Sequence, residues 1–307
     1  MVQATGLSYY PPDGKMERPW HQSTNGHGTV MANMISRINP WVSLDVMKIH
    51  DSNSYTSGVK TRTIYAESAA RAIEGAIIRK ADIISMSWTI RKLADKAIDI
   101  KAEEDKRSPE KVAIEALHTA IENAKKQNIL MFCSAADDIQ LLGRESLPFS
   151  AASDCMFRIG AALPKGQRDP TSEDVKTISY FFPGNQVAEA RNPRSSKPVE
   201  YHDGSSVSTA LAAGLASLII YCTNVVKTYY GESRPFADWA PKLRNHKNMR
   251  TAFDNINYPD YEDRKFLPVW KMFGNATERI NNAQDEKKKI SELETLVRAL
   301  CHNLEAD

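Results

Sequence analysis

Three runs constrain this chain more than any other feature. "DIISMSW" (82–88), "ILMFCSA" (129–135) and "MFRIGAA" (156–162) are nearly continuously apolar over the length of a strand. A strand with one face in water alternates apolar and polar residues, so a run that is apolar throughout implies cover on both faces. Helical patterns separate the runs. "IYAESAARAIEGAIIRKA" (64–81) is rich in small residues, and "SPEKVAIEALHTAIENAKKQN" opens with Ser108 as N-cap and Pro109 at the first helical position. Upstream, Val30, Met31, Met34, Ile35 and Ile38 fall on one helix face, and "VSLDVMKI" (42–49) reads as a further strand. This alternation predicts an α/β fold in three layers, a parallel sheet flanked by helices. In such sheets sites form at the carboxyl ends of the strands, which directs attention to residues 87–90, 134–138 and 162–168. The charged stretch 91–111 reads as a surface excursion.

The texture changes near residue 230, which divides the chain into 1–230, the α/β unit, and 231–307, a C-terminal helical extension. From 231 a mixture of aromatics, polar residues and prolines reads as a wrap over the core. The last helix carries Ile290, Leu293, Val297, Leu300 and Leu304 at a/d-type spacing. Two heptads do not make a coiled coil, so the stripe docks on the chain's own core or takes a partner. The apolar segment Leu211–Val226 is shorter than the ~20 residues that span a bilayer, and polar residues interrupt it, so it reads as a core helix rather than a membrane anchor.

Two stretches carry chemistry. In "NGHGTVMANMI", His27 stands between two glycines at the start of a helical pattern. In "HDGSSVSTALAAGLASLI", Gly204 permits a sharp turn before Ser205, Ser206 and a long helix of small residues. A serine in the first turn of a buried helix lies near unpaired N–H groups and the positive end of the helix dipole, which suits a nucleophile whose reaction develops an oxyanion. Alone, Ser205 or Ser206 would read as an N-cap.

Together the two stretches resemble the subtilisin-like serine proteases, or subtilases. The family's histidine motif, His-Gly-Thr-x-(apolar)-Ala, stands here as His27, Gly28, Thr29, Val30, Met31, Ala32. Its serine motif, Gly-Thr-Ser-x-Ala-x-Pro-x-x-Ala-Gly, is matched by residues 204–214 and puts Ser206 at the nucleophile. "ADIISMSW" resembles the strand that pairs with an extended substrate, which implies Ser87 and Trp88 as substrate-binding residues. "ILMFCSAADD" resembles the strand leading to the oxyanion residue, which implies Asp137. "FRIGAA" and "FFPG" (181–184) resemble two further family segments. The likeness spans about residues 23–230 and is closest in texture to intracellular subtilase-like domains of filamentous fungi. It implies a serine endopeptidase with a subtilisin-like parallel sheet, acting on peptide or protein substrates, with catalytic His27 and Ser206 and no dissociable cofactor.

Three departures stand against it. Ala210 replaces the usual Pro, and Ser208 the usual Ala. Asp137 replaces the usual Asn, and an ionised carboxylate accepts hydrogen bonds without donating any. Family members with Asp at this place exist, and a carboxyl kept neutral by burial still donates. Most important, the family's orienting Asp ends an apolar strand before the histidine motif and inside the sheet. Here only Asp13, in the turn "PPDG", and Glu17 precede His27. The expectation is therefore an α/β unit incomplete at its N-terminus, lacking the Asp strand. That leaves three readings: a protease, a pseudoprotease that binds proteins, or a fragment that another segment completes. His202 reads as a loop residue and Asp45 as solvent-facing on its strand. No metal-ligand spacing is legible, calcium included.

Composition excludes other classes. A net charge of +2 offers no basic footprint for nucleic acid or an anionic membrane. Cys133, Cys155, Cys222 and Cys301 lie far apart without a C-x-x-C pair, which fits a reducing compartment. The first twenty residues lack the apolar core of a secretory signal, so the expected location is cytoplasmic.

Overall fold

The computed structural model describes residues 3–12, 18–23, 25–56, 59–91, 108–135, 146–170, 176–189, 199–231, 238–256 and 265–305. The chain opens with β1 (Gln3–Ser8), α1 (His27–Ile38) and β2 (Ser43–Lys48). A hairpin follows, β3 (Asp51–Thr56) and β4 (Val59–Ile64), then α2 (Ala66–Ile78), β5 (Ile83–Met86) and β6 (Ile90–Arg91). Next come α3 (Pro109–Lys126), β7 (Leu130–Ser134), β8 (Ser146–Leu147), β9 (Met156–Ala162), β10 (Tyr180–Pro183), β11 (Val187–Ala188) and β12 (Tyr201–His202). Among the described residues five helices follow: α4 (Ser205–Tyr230), α5 (Trp239–Lys242), α6 (His246–Asp254), α7 (Val269–Asn282) and α8 (Glu286–Leu300).

The three-layer α/β arrangement is present, with its sheet in two parts. β10-β9-β7-β5 form a parallel four-stranded sheet, and β1-β2 form a separate parallel pair. The alternation along β7 shows why its run is apolar throughout. Leu130 and Phe132 enter one core with α1, α4 and the C-terminal helices, while Met131 and Cys133 enter the other with α2 and α3. The Ser108 hydroxyl caps α3 by accepting from the Lys111 N–H, with Pro109 behind it as its sequence predicts.

A strand does precede His27. β1 is exposed along most of its length and carries no acidic residue; its Thr5 hydroxyl donates to Asp45 Oδ1 at 3.3 Å. Asp45 is half-buried rather than solvent-facing, because Arg79, just past the end of α2, pairs with it. Asp13 and Glu17 lie outside the described residues, as do residues 92–107 of the charged stretch.

α4 is long and apolar enough to cross a membrane by length and composition, yet 67% of its most apolar window is buried within the protein. Small residues let α1 approach it. A Cβ on Gly214 would meet Ile38 Cβ at 2.9 Å and the Ile35 carbonyl oxygen at 3.2 Å. Residues of the C-terminal region join the same core: Phe253 of α6 packs near Phe132 and Phe157 at ring-centroid distances of 6.2 and 5.7 Å. The apolar stripe of α8 docks there too, with Val297 and Leu300 fully buried.

The close α1–α4 contact gives the first prediction. Gly214→Val should lower the denaturant midpoint by an amount equivalent to about 1–3 kcal/mol, the usual cost of overpacking a tight core, in equilibrium unfolding monitored by tryptophan fluorescence.

Candidate active site

His27 and Ser206 begin two helices that run in parallel. Ile35 and Ile38 lie against Gly214, and the Asn39 side chain donates to Ser217 Oγ at 3.1 Å. Followed back to the first residues of both helices, that register sets His27 level with Ser205 and Ser206. Each start needs a backbone shape that favours glycine. Gly26, φ 78°, precedes His27, and Gly204, φ 107°, precedes Ser205. The Asn25 side chain accepts from the His27 N–H at 3.0 Å and so caps α1 in place of Gly26.

Hydroxyls tie the first turn of α4 to three strand ends. Ser205, fully buried, donates to the Ala135 carbonyl at 2.6 Å just after β7. Ser208 donates to the carbonyls of Phe182 and Pro183 at 3.0 and 3.1 Å at the end of β10. Its departure from the family's Ala therefore adds an anchor. Ser87, after β5, donates to the Ser206 carbonyl at 3.0 Å, and the Ser206 hydroxyl donates to the Ser87 carbonyl at 3.3 Å. Ser205 is thus structural. Ser206 is the half-buried hydroxyl at the helix start, where first-turn N–H groups lack helical partners and the dipole is positive. His27, Ser87 and Trp88 line one cavity. Asp137 lies outside the described residues.

The structure also brings in a carboxylate that the sequence analysis overlooked. Asp51 begins β3, just past the end of β2, and is only 6% exposed. Its Oδ2 accepts from Asn25 Nδ2 at 3.1 Å and from Arg62 Nε at 2.8 Å, and the Tyr10 hydroxyl donates to its backbone carbonyl at 2.8 Å. Asn25 therefore touches both the His27 backbone and Asp51. A signal for it existed: Asp51 follows an apolar strand at its carboxyl end, where sites form.

These neighbours set the charge on His27. Burial pushes its ring down to about 4, the Arg62 guanidinium pushes the same way, and the Asp51 carboxylate opposes both; His202 adds a small downward push. The ring is thus neutral at pH 7, the form that accepts a proton. An unfolded histidine, near 6.5, binds its proton more tightly than the native ring. The neutral ring's stabilisation is therefore fully present above about pH 6.5 and is lost as pH falls toward 4.

His202 sits in β12 rather than in a loop, and its Nε2 pairs with Glu189 Oε2 at 2.9 Å. Ligand atoms of Glu189, Glu200 and His202 lie within 4.8 Å of one another, close enough to surround a cation. Both Glu189 oxygens are already engaged, by His202 and by Asn33 Nδ2 at 2.6 Å, which leaves the trio a hydrogen-bonded cluster.

Residues 8–226 match the Subtilase family. The chain is similar to a serine-to-alanine mutant of the protease domain of PatA, at 17% identity and a TM-score of 0.58, over 97% of this chain and 88% of that one. It is also similar to the prenylagaramide maturation protease PagA, at 17% identity and 0.56, over 95% and 86% of the two chains. A third is a mutant of the epidermin leader peptide processing serine protease EpiP of Staphylococcus aureus, at 16% identity and 0.60, over 88% and 74%. Identities this low carry likeness of fold alone. A search of curated proteins finds no match.

Opposite charges beside His27 give the second prediction. Asp51→Asn should lower the ring's pKa further, and Arg62→Met should raise it toward the ordinary histidine value, as read from NMR titration of the His27 ring. Equal values in both variants would mean that neither charge reaches the ring.

Proposed function

The chain belongs to the subtilase family of serine peptidases, and from that premise we propose that it hydrolyses peptide bonds with Ser206 as nucleophile and His27 as the base that activates it. One observation carries the reading: the parallel register of α1 and α4, which sets the His27 and Ser206 ends of the two helices side by side. Ser206 Oγ attacks the substrate carbonyl, and its proton passes to the neutral His27 ring, which returns it to the leaving amine. The developing oxyanion faces the first-turn N–H groups and the positive end of α4. Asp137 would complete the oxyanion site, and Ser87 with Trp88 would hold the substrate strand beside β5.

In this scheme Asp51 stabilises the imidazolium that forms on His27. Loss of an orienting Asp in a subtilisin costs about 10⁴ in turnover, so the chemistry depends on some carboxylate acting there. Four free thiols, three of them buried, support a site of action inside the cell. The second reading, a pseudoprotease that binds proteins without cutting them, is favoured by one contact: the Ser206 hydroxyl donates to Ser87.

A fluorophosphonate that labels activated serines separates the two. The proposed peptidase labels at pH 7, and Ser206→Ala and His27→Ala each slow labelling by more than about 10³-fold. The acid limb of the labelling rate should lie below pH 6.5, because burial holds the His27 ring neutral there. A soluble, cooperatively folded protein that fails to label would establish the pseudoprotease.

A further inference from the structure

The ribbon that leads into α4 carries a cluster that the proposed reaction does not use. β11 and β12 pair antiparallel, with Val187 opposite His202 and Ala188 opposite Tyr201. The Glu189 N–H donates to the Glu200 carbonyl at 2.8 Å, which extends the ladder by one step. Side chains alternate between the two faces of such a ribbon, so Glu189, Glu200 and His202 share one face, while Ala188 and Tyr201 lie on the other. Glu189 and Glu200 stand directly opposite each other. Two carboxylates in that relation repel and weaken the pairing unless positive charge lies between them. A ribbon this short has little backbone pairing with which to resist the repulsion.

The same three side chains have the reach and the backing of a metal site. A carboxylate oxygen from each glutamate and a ring nitrogen of His202 lie within 4.8 Å of one another. Atoms bound to one ion at about 2.0 Å lie up to about 4 Å apart. Glu200 is exposed, so its side chain has room to close the remaining distance. The 2.9 Å gap from His202 Nε2 to Glu189 Oε2 is spanned by a proton in the hydrogen-bonded form of the cluster. A cation takes that proton's place and uses the same two atoms. The Asn33 amide donates to the other oxygen, Glu189 Oε1, at 2.6 Å. That bond does not compete with an ion on Oε2; it is the kind of outer contact that orients a ligating carboxylate. Asn33 belongs to α1, and Arg37 of the same helix donates to the Ala188 carbonyl, so a rigid element holds β11 in place.

We infer that Glu189, Glu200 and His202 bind one divalent transition-metal ion of the zinc class, with water completing its coordination. Donor chemistry selects the class. One imidazole nitrogen with two carboxylates suits a borderline ion, whereas Ca²⁺ and Mg²⁺ call for a shell of oxygens alone. The ion neutralises the opposed glutamates and clips β11 to β12. β12 runs through Asp203 and Gly204 directly into Ser205 and Ser206, so the clip steadies the approach to the start of α4. Binding of the ion does not require Ser206 to be reactive.

Titration of the full chain with Zn²⁺ after treatment with a chelator, followed by isothermal calorimetry, tests the inference. One ion should bind per chain with a micromolar Kd. Glu189→Gln, Glu200→Gln and His202→Ala should each weaken binding at least about tenfold, and Asn33→Ala should do so through its hold on Glu189. Ca²⁺ in large excess should not compete. NMR gives a reading that needs no substitution: Zn²⁺ should shift the ring signals of His202 and leave those of the exposed His302 unmoved. Three results would overturn the inference. They are no saturable binding below millimolar Zn²⁺, displacement of Zn²⁺ by Ca²⁺, and parental affinity in both Glu189→Gln and His202→Ala, which would mark an adventitious ion only.

Discussion

Close packing of α1 against α4 is the contact on which the site depends. It is possible because α4 presents Gly214 where Ile35 and Ile38 arrive. Any side chain there would push the helices apart along their shared length. Both helices start after a glycine at positive φ and both starts lie at the carboxyl ends of strands, so one contact fixes the level of His27 relative to Ser206. The hydroxyls of Ser205, Ser206 and Ser208 then fix α4 against three strand ends, through Ala135, Ser87, and Phe182 with Pro183. Position along the helix comes from packing, and orientation at its tip comes from hydrogen bonds.

Electrostatics at that tip favour a neutral histidine. Burial favours a neutral His27, and Arg62 reinforces this, while Asp51 favours the imidazolium. Asp51 is itself tied to Arg62 at 2.8 Å, so much of its charge is already compensated. A base with so low a proton affinity accepts a proton readily only if something stabilises the imidazolium once formed. The carboxylate is in place, and the guanidinium limits its effect. Binding that drew Arg62 away from Asp51 would make His27 a stronger base without moving either helix.

Much of this was legible in the sequence because apolar pattern reports directly on packed faces. The run 156–162 became β9 with those bounds, and Ser108 with Pro109 marked the start of α3. His27 and Ser206 were legible because glycines and small residues surround them. The β3–β4 hairpin was not: "DSNSYTSGVKTRT" has no apolar face, so no period reveals it. Asp51 was missed for a different reason. Its importance comes from Asn25, Arg62 and Tyr10, which come together only in three dimensions. The separate parallel pair β1-β2 was equally hidden, since strand order is not written in any local pattern.

The division of the sheet bears on catalysis as well as on stability. His27 and Asp51 belong to the side that carries β2, while Ser206 and Ser87 belong to the side that carries β5. Asn39 to Ser217 and Trp41 on Tyr221 bridge the sides at the far end of α1 from His27, and Asn33 to Glu189 bridges them near its middle. From Asn33 to His27 the lever is about 9 Å of helix. A rotation of about 6° over that length displaces the ring by about 1 Å, an error of the kind that costs about 10²-fold in a reacting geometry. A continuous sheet would suppress this rotation, because each parallel strand is hydrogen-bonded to the next. Whatever joins β2 to β5 therefore acts on the distance between His27 and Ser206 without touching either one.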